Sequence, residues 1–316
     1  MSASSDTETP LATEMDTTIR DVLETACPGL RVDSLRTLDA GYTSRQWVAE
    51  TDEGPLLVKV PRRNRDPEHL RRLVASTRVA AEHGIPVMRF RALVAHSSAL
   101  DGPALIQEFQ EGEPAADGWQ TFDDQRRLAL SRELGVLVGR LHSIEGRHFG
   151  DVLDAGKVTS LEESVDSEVE GLLSQTVAEL VGDATALRAA IAKAVSRLAP
   201  SASVPALTHG DLWLPNILLR DGRISCVLDF EHATYADRFR DFGKLDEHVF
   251  DAFAAGRDAF LESYAATCPL PEDWELRLDL AHLLHSLGMY VYFLQWTPKW
   301  APQYRRQVQE WLRKNS

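Results

Sequence analysis

Residues Thr208 to Glu231 read THGDLWLPNILLRDGRISCVLDFE, and the rest of the chain is organised around them. Asp211 and Asn216 stand five residues apart, and Asp229 follows thirteen residues later. Two apolar runs, Ile217 to Leu219 and Ile224 to Leu228, flank Asp221-Gly222. An Asp-Gly pair between such runs predicts a two-residue type I′ hairpin, because both central residues must take positive φ. That hairpin folds Asp229 back towards Asp211 and Asn216, so three oxygen-bearing side chains converge on one spot.

This arrangement is that of a kinase catalytic loop followed by its metal loop. As written, the stretch resembles the aminoglycoside phosphotransferase family within the protein-kinase-like fold. The family pattern H-G-D-L-x-x-x-N is met by His209, Gly210, Asp211, Leu212 and Asn216, and its metal motif by Asp229-Phe230. A further family Asp corresponds to Asp241, although Ala236 and Arg238 replace the family's Gly and Pro. The resemblance implies that Asp211 accepts the proton of an attacking hydroxyl, while Asn216 and Asp229 hold Mg2+. His209 and Asp241 are expected to support the loop rather than react. A lone His without a second ligand at metal spacing is a poor zinc site.

A chain of 316 residues exceeds the size of a usual single core, so two lobes are expected. Hydrophobic residues make up 44% and charged ones 26%, as in ordinary globular proteins. With 34 Lys and Arg against 48 Asp and Glu, the net charge of −14 disfavours nucleic acid and anionic membrane and favours cationic partners. Three cysteines without close pairing fit a reducing cytoplasm. No secretory signal is visible, and residues 1–16, rich in Ser, Thr, Asp and Glu, read as a disordered tail. The apolar run Leu278 to Trp296 is interrupted by Asp279, His282, His285 and Gln295, which predicts a buried helix, not a membrane span.

Residues 17–107 are expected to form an amino lobe that covers the nucleotide. A helix over 17–26 precedes strands at 34–38, 46–50 and 56–60, a helix over 67–83, and strands at 93–95 and 104–107. The resemblance places Gly41, Thr43 and Ser44 at the phosphates, and Lys59 at the α and β phosphates. A lone charge in an apolar strand needs a partner, and Glu68 is the nearest candidate on the following helix. The carbonyl of Gln107 and the amide of Phe109 would meet the base at the hinge. Residues 108–316 are expected to be a mainly helical carboxyl lobe, with helices over 123–144, 162–180, 184–198, 252–266, 274–292 and 302–313. His142 is read as a packing residue.

The expected fold class is therefore α+β and two-lobed, a five-stranded mainly antiparallel sheet with a helix followed by the helical lobe. The expected activity is transfer of the γ-phosphate of ATP or GTP, with Mg2+, to a hydroxyl of a small molecule. Charge points to a cationic acceptor such as an aminoglycoside, bound by Glu231, Asp246, Glu247 and Asp251. The alternatives are a metabolic kinase for choline, homoserine, a sugar or a macrolide, and a non-catalytic pseudokinase. The catalytic motif does not separate these acceptors, because it reads nucleotide and hydroxyl alone.

Overall fold

The structure, a computed structural model, describes residues 9–38, 44–62, 64–153, 157–176, 184–200 and 203–316, with side chains from residue 15 onward. The chain divides into two compact units. The smaller comprises residues up to Arg78 together with Val87–Gly112, and the larger comprises Val79–Pro86 and Glu113–Ser316. The division after Gly112 lies beyond the expected one after residue 107, and the end of the second helix counts with the larger unit.

In the smaller unit, helix α1 (Thr9–Ala26) precedes strands β1 (Val32–Leu38), β2 (Ser44–Thr51) and β3 (Leu56–Pro61). Helix α2 (Pro67–Glu82) leads to β4 (Phe90–Ser97) and β5 (Gly102–Glu108). The tail expected over residues 1–16 is corrected for residues 9–16, since α1 begins at Thr9; residues 1–8 lie outside the described residues. Pro10 falls in its first turn, where a missing N–H costs nothing. The five strands form an antiparallel sheet in the order β1-β2-β3-β5-β4. Alternation along β3 sorts its side chains. Leu56, Val58 and Val60 join Ile19 and Leu23 of α1 in one core, which puts Lys59 on the other face.

The larger unit holds β6 (Glu113–Pro114) and helices α3 (Ala115–Trp119), α4 (Asp124–His142), α5 (Leu161–Leu173) and α6 (Ala184–Val195). Strands β7 (Ala206–Thr208), β8 (Ile217–Arg220), β9 (Arg223–Val227) and β10 (Thr234–Ala236) follow. Helices α7 (Arg240–Leu245), α8 (Ala254–Thr267), α9 (Trp274–Trp296) and α10 (Ala301–Asn315) complete it. Asp123 caps α4 by accepting the N–H of Arg126 at 2.7 Å, and Ser160 caps α5 through Glu163 at 3.1 Å. Helix α5 ends at Leu173 and turns at Ser174, short of the expected end at residue 180; residues 177–183 lie outside the described residues. No described helix is long and apolar enough to cross a membrane.

Close packing sets where α4 ends. Gly135 and Gly139, four residues apart, face α8 so tightly that a Cβ would sit 2.3 Å from the Phe260 carbonyl oxygen and 2.8 Å from Thr267 Cβ. Glycine costs about 1 kcal/mol inside a helix, and here it admits backbone contact that no larger residue allows. The reward is that His142, at the C-terminal end of α4, reaches Tyr264 of α8. A second core lies among α5, α6, α9 and α10, with Val165, Leu187, Ile191, Leu284, Tyr304 and Trp311 inside it.

Candidate active site

Two short ladders hold the site. Strand β7 pairs antiparallel with β10, Thr208 opposite Thr234, and β8 pairs with β9, Ile217 opposite Val227. The segments between them, 209–216 and 228–233, are thereby brought side by side. Asp221 and Gly222 take φ of 52° and 76°, the left-handed pair that the Asp-Gly hairpin requires. A bulge between Leu218 and Leu219 leaves Ser225 unpaired on β9. Backbone bonds then fix the exit. The Val227 N–H donates to Pro86 at 2.7 Å, and Leu228 N–H donates to Asn216 at 2.8 Å. Asp229 follows with φ 56° and ψ 59°. A left-handed non-glycine residue costs roughly 1 kcal/mol, so this carboxylate is turned by its surroundings and not by its own preference.

Asp241 organises the segment that carries Asp211. Its carboxylate is buried and accepts the N–H groups of His209 (2.8 Å) and Gly210 (2.7 Å), and it meets His142 Nε2 at 3.0 Å. Gly210 has φ 76°, and a Cβ there would lie 2.4 Å from the His232 carbonyl oxygen. No other residue fits that turn. Burial pushes the Asp241 carboxyl up, but hydrogen bonding and charge from His142, with His209, outweigh it and hold the group below its usual range. Burial likewise holds the His209 imidazole down, against the pull of Asp241. Neutral His209 fits its contacts. Its Nδ1 accepts the Asp211 N–H at 3.2 Å, which leaves Nε2 protonated to donate to the Leu228 carbonyl at 2.7 Å. One ring thus ties the Asp211 segment to the Asp229 segment.

The Asp211 carboxylate is held at both oxygens. Asn216 Nδ2 donates to Oδ2 at 2.9 Å and to the Asp211 backbone carbonyl at 2.8 Å, and Lys244 from α7 ion-pairs with Oδ1. The Lys244 ammonium also lies 4.3 Å from the centre of the Trp213 ring, a cation–π contact. The buried Trp213 indole N–H has no hydrogen bond among the described residues. Asp211 opens onto a cavity of about 590 Å3, lined also by Lys244, Arg240, His232, His285 and Tyr292.

Mg2+ fits the donor set. Asn216 spends its N–H group on Asp211, and its side-chain oxygen accepts no hydrogen bond among the described residues. Asp229 supplies a carboxylate on the neighbouring segment. Two hard oxygens on facing segments suit a hard cation that keeps most of its other positions for water and phosphate.

The sequence brings Asp211, Asn216, Asp229, His209 and Asp241 into this one region, and it misses Lys244, Arg240, Trp213 and the role of His142. No spacing rule singles out Lys244, which lies 33 residues beyond Asp211 in the chain. The acids expected around Asp211 are placed elsewhere. Glu231, Asp246, Glu247 and Asp251 do not line the Asp211 cavity, and the last three line a separate one of about 350 Å3. Asp246 is paired with Arg257 and His282, and Glu247 is hydrogen-bonded to His285 and Tyr304.

In the smaller unit, Lys59 sits mid-strand between Gln46 and Leu105, and Ser44 opens β2 opposite Pro61. Gly41 and Thr43 lie outside the described residues. Glu68 is exposed and ion-paired with Arg71. Gln107 is buried in β5. The hinge expectation for Phe109 needs correction. The β3–β5 ladder runs on through Leu56 and Glu108, so the next amide, that of Phe109, donates to Pro55 at 2.9 Å and is not free for a base.

The model of the phosphotransferase enzyme family matches residues 34–280. The chain belongs to that family. A curated relative, the aminoglycoside 3'-phosphotransferase of Escherichia coli, is 40% identical over 132 residues. That alignment takes in 38% of this chain, which spans 43% of the relative's length. Among solved structures, aminoglycoside phosphotransferase APH(4)-Ia superposes with a TM-score of 0.71 at 15% identity, covering 96% of this chain and 99% of that one. The gentamicin complex of APH(2")-IIa gives 0.65 at 20% identity, covering 94% and 96%. Macrolide 2'-phosphotransferase MphH from Brachybacterium faecium gives 0.60 at 22%, covering 95% and 98%. The two-unit α+β fold of this family member is thus the kinase-like fold of those phosphotransferases.

Proposed function

We propose that this chain transfers the γ-phosphoryl group of ATP to a hydroxyl of a small-molecule antibiotic, an aminoglycoside being the first candidate. The observation that carries this reading is the Asp211 carboxylate. It is oriented by Asn216 and Lys244 and opens onto a cavity large enough for a drug-sized acceptor. Asp211 takes the acceptor hydroxyl as a hydrogen-bond donor and receives its proton as the O–P bond forms. Lys244 keeps the carboxylate pointed at that hydroxyl. Asn216 and Asp229 would hold Mg2+, which when bound neutralises phosphate charge. Lys59 is assigned to the α and β phosphates and Ser44 to the phosphate cover. Most of the acceleration in such a transfer comes from positioning and electrostatics.

One observation favours a second acceptor class. Among the described residues, every carboxylate lining the Asp211 cavity already has a cationic or buried partner: Glu168 with Arg240, Asp211 with Lys244, and Asp241 with two amides and His142. A polycation would have to displace Arg240 or Lys244 to be neutralised there, whereas a macrolide-like acceptor, with little charge, would not. The test is initial-rate phosphorylation of matched aminoglycosides and macrolides at low and high salt. Aminoglycoside transfer with kcat/KM that falls as salt rises supports the first reading. Salt-insensitive transfer to the macrolide supports the second. Nucleotide binding without transfer to either, or to any hydroxyl acceptor, would sink both.

A further inference from the structure

Beside the Asp211 cavity, which His285 also lines, a second set of donor atoms is gathered where α7 passes into a π-helical turn at Asp246–Phe250. The wider turn rotates successive side chains by less than an α-helix does, so the neighbours Glu247 and His248 diverge less. Single π turns recur at functional positions. Across from them, His285 of α9 is packed so closely that a Cβ on Gly243 would lie 2.6 Å from its own Cβ. One ligand atom from each of Glu247, His248 and His285 lies within 4.8 Å of the other two.

We infer that Glu247, His248 and His285 form a binding site for a transition-metal dication of the Zn2+ kind, separate from the Mg2+ donors Asn216 and Asp229. Two imidazoles and one carboxylate are a borderline-soft donor set, suited to Zn2+, Co2+ or Ni2+ and not to Mg2+. Bonds of about 2.0–2.2 Å in a tetrahedral site need ligand atoms roughly 3.3 Å apart. The Glu247 carboxylate lies 2.6 Å from His285 Nε2 and 3.9 Å from His248 Nε2, on either side of that value. The third pair, His248 to His285, lies within 4.8 Å, so the three ligand atoms surround a space of metal-site dimensions. The supporting contacts are in place too. Tyr304 Oη donates to the other Glu247 oxygen at 2.5 Å, and a hydrogen bond of this kind orients a carboxylate that ligates a metal. His248 makes ring contacts with Trp213 and His285 but no hydrogen bond among the described residues, so its imidazole is available. Its side chain is 30% exposed and that of Glu247 26%, which gives an ion a way in from solvent. The fourth position is left to water.

The experiment uses the full chain, free of any histidine tag and stripped with a chelator, with excess Mg2+ present to occupy the hard-oxygen donors and no nucleotide, since ATP would itself take up Zn2+ and Co2+. Zn2+ is titrated by calorimetry, and Co2+ by its visible absorption. One equivalent should bind, with tetrahedral Co2+ bands, and affinity should fall at least about tenfold in both His248→Ala and Glu247→Gln. His248→Ala breaks no hydrogen bond described here and gives up ring contacts with Trp213 and His285, so the folded chain should persist with its thermal midpoint without metal only slightly lowered. Absence of Zn2+ binding, or binding that survives unchanged in either variant, overturns the site.

Discussion

Two neighbouring segments of the larger unit carry carboxylates, and they use them differently. Around Asp211 and Asp241, two backbone amides hold the buried Asp241, while the side chains of Asn216 and Lys244 hold Asp211 against a cavity. In the turn at Asp246 and Glu247, side chains consume the acids: Arg257 and His282 take the first, His285 and Tyr304 the second. A carboxylate is assigned the reacting role in one place and a packing or ligating role in the other. What separates them is how the neighbourhood is fixed: main-chain amides on Asp241 set the segment that carries Asp211, whereas side chains alone hold Asp246 and Glu247 in the contacts described above. A charge count along the sequence cannot register that difference.

The sharpest way to break the contrast is to neutralise one acid from each segment. Asp211→Asn keeps the shape and the Asn216 contact, and phosphoryl transfer to the best acceptor should drop roughly 10²- to 10⁴-fold with nucleotide binding retained. Near-parent turnover would remove Asp211 from the role given to it. Lys244→Met probes how the carboxylate is held. A hydrogen bond to a charged group is worth about 1.5–3 kcal/mol, so kcat should fall roughly 10- to 10²-fold with acceptor KM little changed, and Lys244→Arg should recover part of the loss. If instead KM rises alone, Lys244 belongs to acceptor binding. On the other segment, Asp246→Asn should leave kcat/KM close to the parent value. It should destabilise the chain by about 1–3 kcal/mol in urea unfolding, because Arg257 and His282 lose their shared partner. A large rate effect there would show that the two segments are not distinct in function.

The Asp211, Asn216 and Asp229 set was legible because it rests on local rules. An Asp-Gly turn, strand alternation and loop length together decide where those side chains go, and all three are written within 24 consecutive residues. The five strands of the smaller unit and the long helices were legible for the same reason, since Ile19, Val22 and Leu23 on α1 and the apolar side chains of β3 follow helical and strand periods, whereas the short elements α3, α7, β6, β7 and β10 were not. The tail was misread because composition predicts poor burial but does not see a helix start at Thr9-Pro10. The Phe109 amide was misplaced because one further rung of the β3–β5 ladder takes it.

What the sequence determined by itself is the fold class, the family and the grouping of Asp211, Asn216 and Asp229 to which catalysis is assigned, since each depends on spacing along the chain. What only the tertiary structure decided is which charges meet. Lys244 reaches Asp211 across 33 residues, His142 reaches Asp241 across 99, and His285 reaches Glu247 across 38. Those meetings follow from helix packing, above all from Gly135 and Gly139 against α8 and Gly243 against α9, where a missing side chain lets two backbones close. Short-range torsional preference fixes the first kind of information. The second exists only once the helices have been packed, because Coulomb and hydrogen-bond energies depend on distance through space and not along the chain.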